Sequence, residues 1–359
     1  MNQGPFSNPV IIHDPFDIHG GSQEYISHLA ETIEAPVYTL TNETNLDENI
    51  EMNSFGSTLT TKLDSIPALG EVVRIVEYEN FHVPEEHDVV ITSGTFGQSV
   101  IHHPEQHRIH LLHTPTRWLF DLAPGKFNDS IYIPKIAKYL YQSARRVHEI
   151  STISRIDEFI VNSEIIENRL KSYYQRDATD IIYPPIQVDK YYNKDPKGFL
   201  LYLGRITPAK GIKQIISAVS DSDYLLKVAG SGPLENPLRR SSGDNIEFLG
   251  FVSEEKKHEL LATCDGLIFN SKHEDFGIVP IEAFASGKPV IGVNEGFTKF
   301  QIEDGKNGIL YDRGVENLQQ GIQEMYTKDW DINQIQSSVK PYSIEKFEND
   351  WKRLISRND

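Results

Sequence analysis

The segment with the most candidate functional residues contains two glutamates whose spacing predicts that they belong to one helix. Glu274 follows the apolar run Gly266–Asn270, and Glu282 lies about two turns further along a predicted helix. Amides in the first turn of a helix lack internal partners, and those predicted to face a ligand belong to Phe276, Gly277 and Ile278. Carboxylates beside free amides suit a hydroxyl-rich sugar that carries a phosphate. A helix cap at Glu274 and a solvated Glu282 are the structural alternatives.

Two cations follow another apolar run in the same half of the chain. Arg205 and Lys210 lie just before the helical run Ile212–Val219. Arginine offers a planar fork to phosphate oxygens and lysine a compact charge, so the pair predicts a diphosphate site. Two solvated cations at a helix start are the alternative. The next loop contains Gly230, which either lets the backbone approach a ligand or simply forms a tight turn.

Glycines and a histidine mark two strand ends in the first half of the chain. Gly20 and Gly21 precede a helical pattern, so their amides are predicted to bind an anion or an acceptor. Helix capping by Ser22 is the alternative. His113 and Arg117 follow another predicted strand, where they are well placed to hydrogen-bond a sugar. His113 is also a candidate acid or base.

A metal site is not predicted, although the chain contains histidine and aspartate groups that look like ligand sets. These groups are His102, His103, His107 and His110, the pair Asp221 and Asp223, and the pair Asp329 and Asp331. The histidine spacing fits no common zinc pattern, and both aspartate pairs fall in polar connections. Because Arg205 and Lys210 can neutralise a diphosphate, we expect no metal and no other cofactor.

Short apolar runs alternate with longer helical patterns almost from end to end. The predicted strands are Val10–His13, Val37–Leu40, Val72–Glu77, Val89–Thr92, Ile109–His113, Glu149–Ile153, Asp180–Tyr183, Phe199–Leu203, Leu225–Ala229, Ile246–Leu249, Gly266–Asn270, Pro289–Val293 and Gly308–Tyr311. Continuous Val/Ile/Leu runs indicate strands buried on both faces of a parallel sheet. Alternating strands and helices predict an α/β fold of doubly wound, Rossmann-like domains with ligands at the carboxyl ends of the strands.

Two such series predict two domains that face each other across a cleft. A chain of 359 residues is too long for one ordinary core. The Pro184-Pro185 step marks a linker, because it suits neither a helix nor a central strand. The predicted domains are residues 1–188 and 189–342, and the final segment 343–359 has the apolar spacing of an amphipathic helix.

Composition limits the class of protein. A formal charge of −17 argues against a nucleic-acid partner, because phosphate contacts need a basic surface. The single cysteine, Cys264, excludes an intramolecular disulfide and fits a reducing compartment. The chain shows neither the roughly 18 consecutive apolar residues of a membrane span nor the pattern of a signal peptide. We therefore expect a cytoplasmic protein.

Residues 131–150 are unusual in an acidic chain because they combine basic side chains with apolar and aromatic ones. The basic residues are Lys135, Lys138, Arg145 and Arg146. A basic amphipathic helix suits an anionic membrane surface, so peripheral contact with the inner face of a membrane is one interpretation. A solvated helix face is the other interpretation.

Several of these segments together resemble a known family. The matching residues are Gly204-Arg205, Lys210-Gly211, Glu274, Glu282 and Glu295-Gly296. Their pattern is similar to that of retaining glycosyltransferases of family 4 (glycosyl transferases group 1), which have the GT-B fold. The resemblance extends from Gly20-Gly21 to the C-terminal helix, and it departs from the family at Phe297, where many members have a second glycine.

The resemblance implies that the second domain, 189–342, binds the nucleotide sugar, and it implies roles for residues of that domain. Arg205 and Lys210 would bind the donor diphosphate, and Glu282 would bind the ribose. Glu274 would lie near the anomeric carbon or the sugar hydroxyls. The reaction would retain the anomeric configuration and would need no divalent metal.

The resemblance also implies roles for the first domain, 1–188, as the acceptor side. His113 would contact the transferred sugar from this domain, and the helix in 343–359 would pack back on it. Base recognition would fall in the second domain near Phe251 and Val252, after the strand Ile246–Leu249.

The segment from His113 to Trp118 is similar to a pattern of mannosyltransferases that act in surface-glycan assembly. The implied reaction moves mannose from GDP-mannose to a hydroxyl of a glycan or lipid-linked acceptor. A transferase that uses a UDP-sugar, a GT-B epimerase that interconverts a UDP-sugar, and a non-catalytic nucleotide-sugar-binding scaffold are the alternatives. An epimerase would need no acceptor, and a scaffold would turn over no donor.

Overall fold

The fold is taken from a computed structural model that describes residues 8–16, 20–42, 50–57, 69–121 and 135–357. The chain divides into two compact units. Unit 1 consists of Met1–Pro184 and Phe347–Asp359, and unit 2 consists of Pro185–Lys346. Within the described ranges, no helix is both long enough and apolar enough to cross a membrane.

Unit 1 is built on a parallel sheet of seven strands in the order β3-β2-β1-β4-β5-β6-β7. The strands are β1 (Pro9–His13), β2 (Val37–Thr39), β3 (Met52–Ser54), β4 (Val89–Ser93), β5 (His107–Leu112), β6 (Glu158–Val161) and β7 (Asp180–Ile181). The helices are α1 (Gly21–Ile33), α2 (Leu69–Asn80), α3 (Lys135–Ile153) and α4 (Glu164–Tyr174), and the C-terminal helix described below joins them.

Unit 2 is built on a parallel sheet of six strands in the order β10-β9-β8-β11-β12-β13. The strands are β8 (Leu200–Leu203), β9 (Leu226–Ala229), β10 (Ile246–Gly250), β11 (Gly266–Phe269), β12 (Val290–Val293) and β13 (Gly308–Tyr311). The helices are α5 (Ile212–Val219), α6 (Glu235–Ser241), α7 (Glu254–Thr263), α8 (Ile278–Ala285), α9 (Thr298–Gln301), α10 (Val315–Thr327) and α11 (Ile332–Ser337).

The predicted doubly wound α/β class is confirmed, and so are most of the predicted strands. Strands β1, β4, β11 and β12 are buried along their whole length. Burial on both faces explains why their sequences are continuous apolar runs. Cys264, at the end of α7, is a free and buried thiol.

Two predicted strands are wrong. Val72–Glu77 lies within helix α2, and Glu149–Ile153 forms the last turn of helix α3. Both runs are rich in β-branched residues, which favour strands, but tertiary packing overrides that preference. In α2, only the helical face with Ile75 and Tyr78 is buried. Strands β3 and β6 were not predicted.

The last helix, α12 (Ile344–Ile355), belongs to unit 1 from Phe347 onwards. Its buried face lies in the main apolar core of that unit, with Phe347, Trp351, Leu354 and Ile355. The indole Nε1 of Trp351 donates a hydrogen bond of 3.1 Å to the Tyr25 hydroxyl on α1. The C-terminal helix therefore packs in the same core as the N-terminal helix α1.

Candidate functional site

The first part of the candidate site lies at the point where the strand order of unit 2 reverses. Along the chain, the sheet grows from β8 towards β10 on one side and restarts with β11 on the other. Open α/β sheets bind ligands at the carboxyl ends of the strands beside such a reversal. Arg205 and Lys210 lie in the segment after β8, and Glu274 lies in the segment after β11.

Lys210 and Glu274 form the central contact of this site. The Lys210 Nζ lies 2.5 Å from the Glu274 Oε2, and the side chains are 24% and 20% exposed, respectively. The Ser271 hydroxyl donates to the same carboxylate oxygen. Arg205, five residues before Lys210, is exposed. The structure thus places an ammonium, a carboxylate and a guanidinium at the end of two adjacent strands.

Neighbouring loops of unit 2 are joined in series by backbone hydrogen bonds. The Gly204 amide donates to the Ala229 carbonyl at 3.0 Å, and the Gly230 amide donates to the Gly250 carbonyl at 2.7 Å. The Lys272 amide donates to the Ala209 carbonyl at 2.8 Å, and the Phe297 amide donates to the Glu274 carbonyl at 2.9 Å. The Gly230 amide is therefore engaged within the protein rather than open to a ligand. These bonds hold the ends of five strands as one surface.

Gly230 is required by this close approach of two loops. Its φ is +136°, and a Cβ there would lie 1.9 Å from the carbonyl oxygen of Gly204. Gly296 is similar, with φ of +57° and both the N and O atoms of Glu274 within 2.6 Å of an added Cβ. The glycines allow the loops to pack tightly, which accounts for Gly230 without any contact to a ligand.

The start of helix α8 differs from the sequence-based expectation. The helix begins at Ile278, so Phe276 precedes it and Gly277 is its N-cap residue, with φ of +76°. The Phe276 ring is buried and stacks on Phe297 at 5.2 Å. Phe297, at the position where the family often has glycine, is completely buried. This departure therefore supplies an aromatic contact beneath the segment that carries Glu274.

Glu282 is buried and does not have the solvated position considered above. Its Oε1 accepts hydrogen bonds of 2.8 Å from the Lys257 Nζ and from the Tyr191 hydroxyl. Burial lowers the pKa of Lys257, but the charges of Glu282 and Glu254 outweigh burial and raise it overall. Glu282 thus belongs to a second cluster, with Lys257 and Tyr191, on the far turn of α8.

Phe251 and Val252 directly follow β10. The Phe251 side chain is 85% exposed, which is high for a large aromatic residue, and Val252 is half-buried. An exposed ring at a strand end can stack on the face of a planar ligand.

Arg313, after β13, was missed by the sequence analysis. Its Nε and Nη2 bind both carboxylate oxygens of Glu295, at 2.6 and 2.8 Å. Its Nη1 donates to the Asn270 Oδ1 at 2.9 Å. The paired guanidinium lowers the pKa of Glu295. One side chain therefore fixes the segments that follow β11, β12 and β13, and a charged residue just after a strand is the signal that could have indicated it.

The second part of the candidate site lies at the corresponding reversal in unit 1, between β1 and β4. A pocket of about 340 Å³ opens at the carboxyl ends of these strands and of β5. Its lining residues are His13, Asp14, Pro15, Ser22, Gln23, Arg74, Gly94, Thr95, Leu112, His113 and Thr114. The pocket therefore combines imidazoles, a carboxylate and a guanidinium with the start of helix α1.

The start of α1 is not capped by Ser22. Gly20 is the N-cap residue, and it has no side chain to satisfy the first amides of the helix. The Ser22 hydroxyl instead donates to the Gln23 Oε1 at 2.9 Å. Gly21 begins the helix, so its first turn points amides without a side-chain cap towards the pocket that Ser22 and Gln23 line.

His113 lines this pocket together with His13, and neither imidazole is fully satisfied. Both ring nitrogens of His13 and the Nε2 of His113 are buried without a hydrogen-bond partner among the described residues. The His113 ring packs edge-on against Tyr25, with ring centres 5.0 Å apart. Burial lowers the pKa of His113 to about 4. Burial, together with repulsion from the nearby His113, lowers the pKa of His13 to about 3. Both rings are therefore neutral at pH 7.

Asp14 and Arg74 were also missed as pocket residues. The Asp14 carboxylate accepts backbone hydrogen bonds from Thr95, at 2.7 Å, and from Phe96, at 2.8 Å. Burial raises the pKa of Asp14 to about 6, against the opposing effect of these amides. Arg74 escaped notice because its segment was predicted as a strand, although it lies on α2. Asp14, directly after β1, carried a usable signal.

Arg117 forms an ion pair within its own segment. Its Nη2 pairs with the Asp121 Oδ2 at 2.7 Å, four residues along the chain. Arg117 is not among the residues that line the pocket. Over the described part of the chain, no group of three or more His, Cys, Asp or Glu side chains is arranged to hold a metal ion.

Solved structures similar to this chain define its fold class. The chain superposes on the lipopolysaccharide outer core galactosyltransferase WaaB with a TM-score of 0.72 at 15% identity, covering 97% of this chain and 99% of that one. It superposes equally on Anabaena HepE in complex with UDP, with a TM-score of 0.72 at 16% identity, covering 98% and 100%. The predicted GT-B fold, with two Rossmann-like units, is thereby confirmed.

The family is indicated by the sequence of unit 2. Residues 186–342, a little under half of the chain, match the family described as glycosyl transferases group 1.

Curated relatives agree with this family. One is an uncharacterized glycosyltransferase of Methanocaldococcus jannaschii, 29% identical over 204 residues, which are 55% of this chain and 57% of the relative. Another is an alpha-1,3/1,6-mannosyltransferase of Dictyostelium discoideum, 24% identical over 277 residues, which are 62% and 66% of the two chains. The match thus spans less than two thirds of the length of each relative.

Proposed function

We propose that this chain is a retaining, metal-independent glycosyltransferase of family 4 that moves a hexose from a nucleotide sugar to an acceptor hydroxyl. The observation that carries the proposal is the contact of 2.5 Å between Lys210 and Glu274 at the strand reversal of unit 2. This contact lies within the residues that match the family. The proposed donor site is unit 2.

In this proposal, Arg205 and Lys210 bind the diphosphate and stabilise it as it leaves. Positive groups that are already in place at a developing charge are among the largest contributors to catalysis. Glu274 holds the Lys210 ammonium in position and lies near the anomeric carbon or the sugar hydroxyls. Glu282 binds the ribose. Because Lys257 and Tyr191 both occupy its Oε1, the Oε2 is the oxygen that would accept the ribose hydroxyls.

The pocket of unit 1 is the proposed acceptor side. With its pKa lowered to about 4, His113 is a neutral imidazole that donates to or accepts from a sugar hydroxyl without adding charge. The uncapped first turn of α1, with Gly20 and Gly21, would bind an anionic or hydroxyl group of the acceptor.

The donor that we favour is GDP-mannose, with a glycan or lipid-linked acceptor. The similarity to a mannosyltransferase and the segment from His113 to Trp118 support this choice. A UDP-sugar is the second candidate, supported by the similarity to HepE in complex with UDP. In either case, the exposed ring of Phe251 is the proposed contact for the base. We also propose a cytoplasmic location.

Turnover of the two donors tests the proposal. The purified chain is incubated with GDP-mannose or UDP-glucose and with a simple alkyl mannoside as the acceptor, with EDTA or with Mg²⁺, and release of nucleoside diphosphate is measured. One donor should be consumed equally in both conditions, and proton NMR of the product should show the anomeric configuration of the donor. Interconversion of the donor sugar without an acceptor would indicate an epimerase, and an inverted product would contradict retention.

Two substitutions assign the site. Lys210→Met and Glu274→Gln should each lower turnover by about 10²- to 10³-fold, the range for loss of one electrostatic contact to a transition state. Lys213→Met is the matched control, because Lys213 is an exposed lysine three residues on. Near-normal turnover in both site variants would defeat the assignment.

A further inference from the structure

Helix α3 of unit 1 exposes an apolar face along most of its length. Its large exposed apolar side chains are Ile136, Tyr139, Leu140, Val147 and Ile150, with exposed fractions between 48% and 70%. The spacing of these residues follows every third or fourth position, so they lie on one side of the helix. The residues between them on that side, Ser143 and Ala144, are small and uncharged.

The opposite side of α3 fixes this orientation. Glu149 is buried and accepts a hydrogen bond of 2.8 Å from the Thr116 hydroxyl. Arg145 is buried and its Nε pairs with the Glu71 carboxylate of α2 at 3.0 Å. Polar side chains therefore anchor the inner side, and the apolar side faces outwards. This is the reverse of the usual arrangement for a surface helix.

Helix α2 lies beside α3 and adds exposed apolar residues. Besides the Glu71–Arg145 pair, the His148 Nε2 lies 3.0 Å from the Glu79 Oε1. The exposed residues of α2 are Leu69, Val72 and Val76. Two adjacent helices thus contribute to the outer apolar face.

The charged side chains on α3 are mostly positive although the chain as a whole carries −17. Between residues 136 and 153 the basic side chains are Lys138, Arg145 and Arg146, and the one acidic side chain, Glu149, is buried. Arg146 and Arg155 are exposed. The exposed Tyr139 adds an aromatic ring of the kind that is enriched at the interface between lipid and water.

We propose that the outer face of α3, with the neighbouring edge of α2, docks on an anionic lipid surface, with α3 lying in the plane of the interface. An apolar side flanked by cations fits a layer of anionic headgroups over hydrocarbon, and the exposed carboxylate at its α2 edge, Glu79, is hydrogen-bonded to His148 of α3. Residues 131–134 of the segment identified in the sequence lie outside the described residues, and the proposal does not use them. It rests on this surface alone and is independent of the proposed sugar transfer.

A second copy of the chain fits this face less well. Helices α3 and α2, with 19 and 12 residues, are about 28 and 18 Å long and about 10 Å wide, so their outer sides together offer roughly 460 Å². A stable interface needs about 800 Å² from each partner. The net charge of −17 on each copy would also oppose self-association.

The same helix holds the loop that carries His113. Besides the bond from Thr116 to Glu149, the Gln142 Nε2 donates to the Trp118 carbonyl at 3.1 Å. A helix that rests on lipid would therefore hold the loop after β5 near the membrane surface. An acceptor carried on a lipid would approach the pocket from that surface.

Vesicle flotation tests the proposal with the full chain and without any donor. The vesicles are phosphatidylcholine alone or phosphatidylcholine with about one third phosphatidylglycerol. We expect binding to the anionic vesicles, reduced but not abolished as salt rises. The double variant Leu140→Gln/Val147→Gln should bind at least tenfold more weakly, and glutamine keeps a good helix propensity at both exposed positions. Arg155→Gln should weaken binding about fivefold, and only to anionic vesicles.

Controls separate this result from misfolding and from the proposed activity. Ile332→Asp changes an apolar residue of unit 2 that is 42% exposed, and it should bind vesicles as the wild type does. Donor turnover in the absence of lipid should be unchanged in the double variant, so failure of either proposal is seen separately. The docking proposal is overturned if no anionic vesicle binds or if the double variant binds normally. It is also overturned if ultracentrifugation shows a dimer that the double variant dissociates.

Discussion

Arg313 shows how one side chain can position a site that it does not enter. It binds Glu295 through two parallel hydrogen bonds and also reaches Asn270, so the loops after β11 and β12 share one anchor. Glu274 lies in the first of these loops, and its carbonyl accepts the amide of Phe297 from the second.

Arg313→Lys is therefore expected to lower kcat at least tenfold with a smaller effect on KM. Lysine keeps the charge but loses the fork that fits a carboxylate. Arg240→Lys, at an exposed arginine of the same unit, is the control. Steady-state kinetics on both variants check the prediction. A kcat of Arg313→Lys equal to that of the wild type would show that Arg313 is not a positioning residue.

Gly230→Ala tests the tight packing between the loops after β8 and β9. The added Cβ would lie 1.9 Å from the Gly204 carbonyl oxygen, so the loops must separate. Gly198→Ala is the matched control, because Gly198 also has positive φ but has nothing within 4 Å of the added atom. In urea unfolding, we expect the control to cost about 1 kcal/mol and Gly230→Ala about 2 kcal/mol more. Equal costs would mean that backbone strain alone matters.

The sequence predicted residue positions better than residue partners. Lys210 and Glu274 follow adjacent buried strands, and chain order alone indicated that they share one edge of a sheet. The pairing of Glu282 with Lys257 and that of Arg117 with Asp121 depend on side-chain packing, which spacing does not reveal. The position of Arg313 just after a strand could have been noticed, but its partners could be found only with the structure, because they come from segments far apart in the chain.

At the scale of elements, α12 carries a large share of the core of unit 1. Trp351 is completely buried and hydrogen-bonds to Tyr25 on α1. Trp351→Ala should lower the free energy of unfolding by about 3–5 kcal/mol, the cost of emptying a large aromatic site. Lys352→Ala, at the exposed neighbouring position, should have little effect. Denaturant unfolding measures both, and a cost below 1 kcal/mol for Trp351→Ala would contradict the packing described here.

Most strands that are buried on both faces were predicted, and the two false strands lie in helices that are buried on one face only. Strands β1, β4 and β12 are continuous apolar runs that a sheet must cover on both faces. The apolar run in α2 has the same composition, but Val72 and Val76 are exposed. A surface with outward apolar residues cannot be distinguished from a buried strand by composition. That exposed surface, shared with α3, is also the one that we propose to contact lipid.

At the scale of the whole molecule, buried histidines make stability depend on pH. Burial lowers the pKa of His13 to about 3 and of His113 to about 4, and burial lowers that of His110 to about 3. Below an unfolded pKa of about 6.5, the unfolded chain binds protons that the native chain does not. Asp14 opposes this in part, because burial raises its pKa to about 6 and it binds a proton only in the native state.

The free energy of unfolding should therefore fall as pH decreases from 6.5 to about 4. Counting only these four groups, three histidines against one aspartate leave a net difference of two protons, so their contribution to the slope is about 3 kcal/mol per pH unit. Urea unfolding at pH 7.0 and 5.5 measures the loss. His113→Asn should reduce the loss by about half, since one of the two net protons disappears. Stability that is constant or higher at pH 5.5 would show that these histidines are not buried in their neutral form.

The central claim is that the segments after β8 and β11 bind the diphosphate of a nucleotide sugar. Calorimetric titration of GDP-mannose and of UDP-glucose into the full chain, in EDTA, tests this claim most directly. We predict that one of the two binds without metal, that Lys210→Met weakens this binding at least tenfold, and that Lys213→Met does not. The claim would be contradicted if neither donor binds, or if the donor binds the wild type and Lys210→Met equally well.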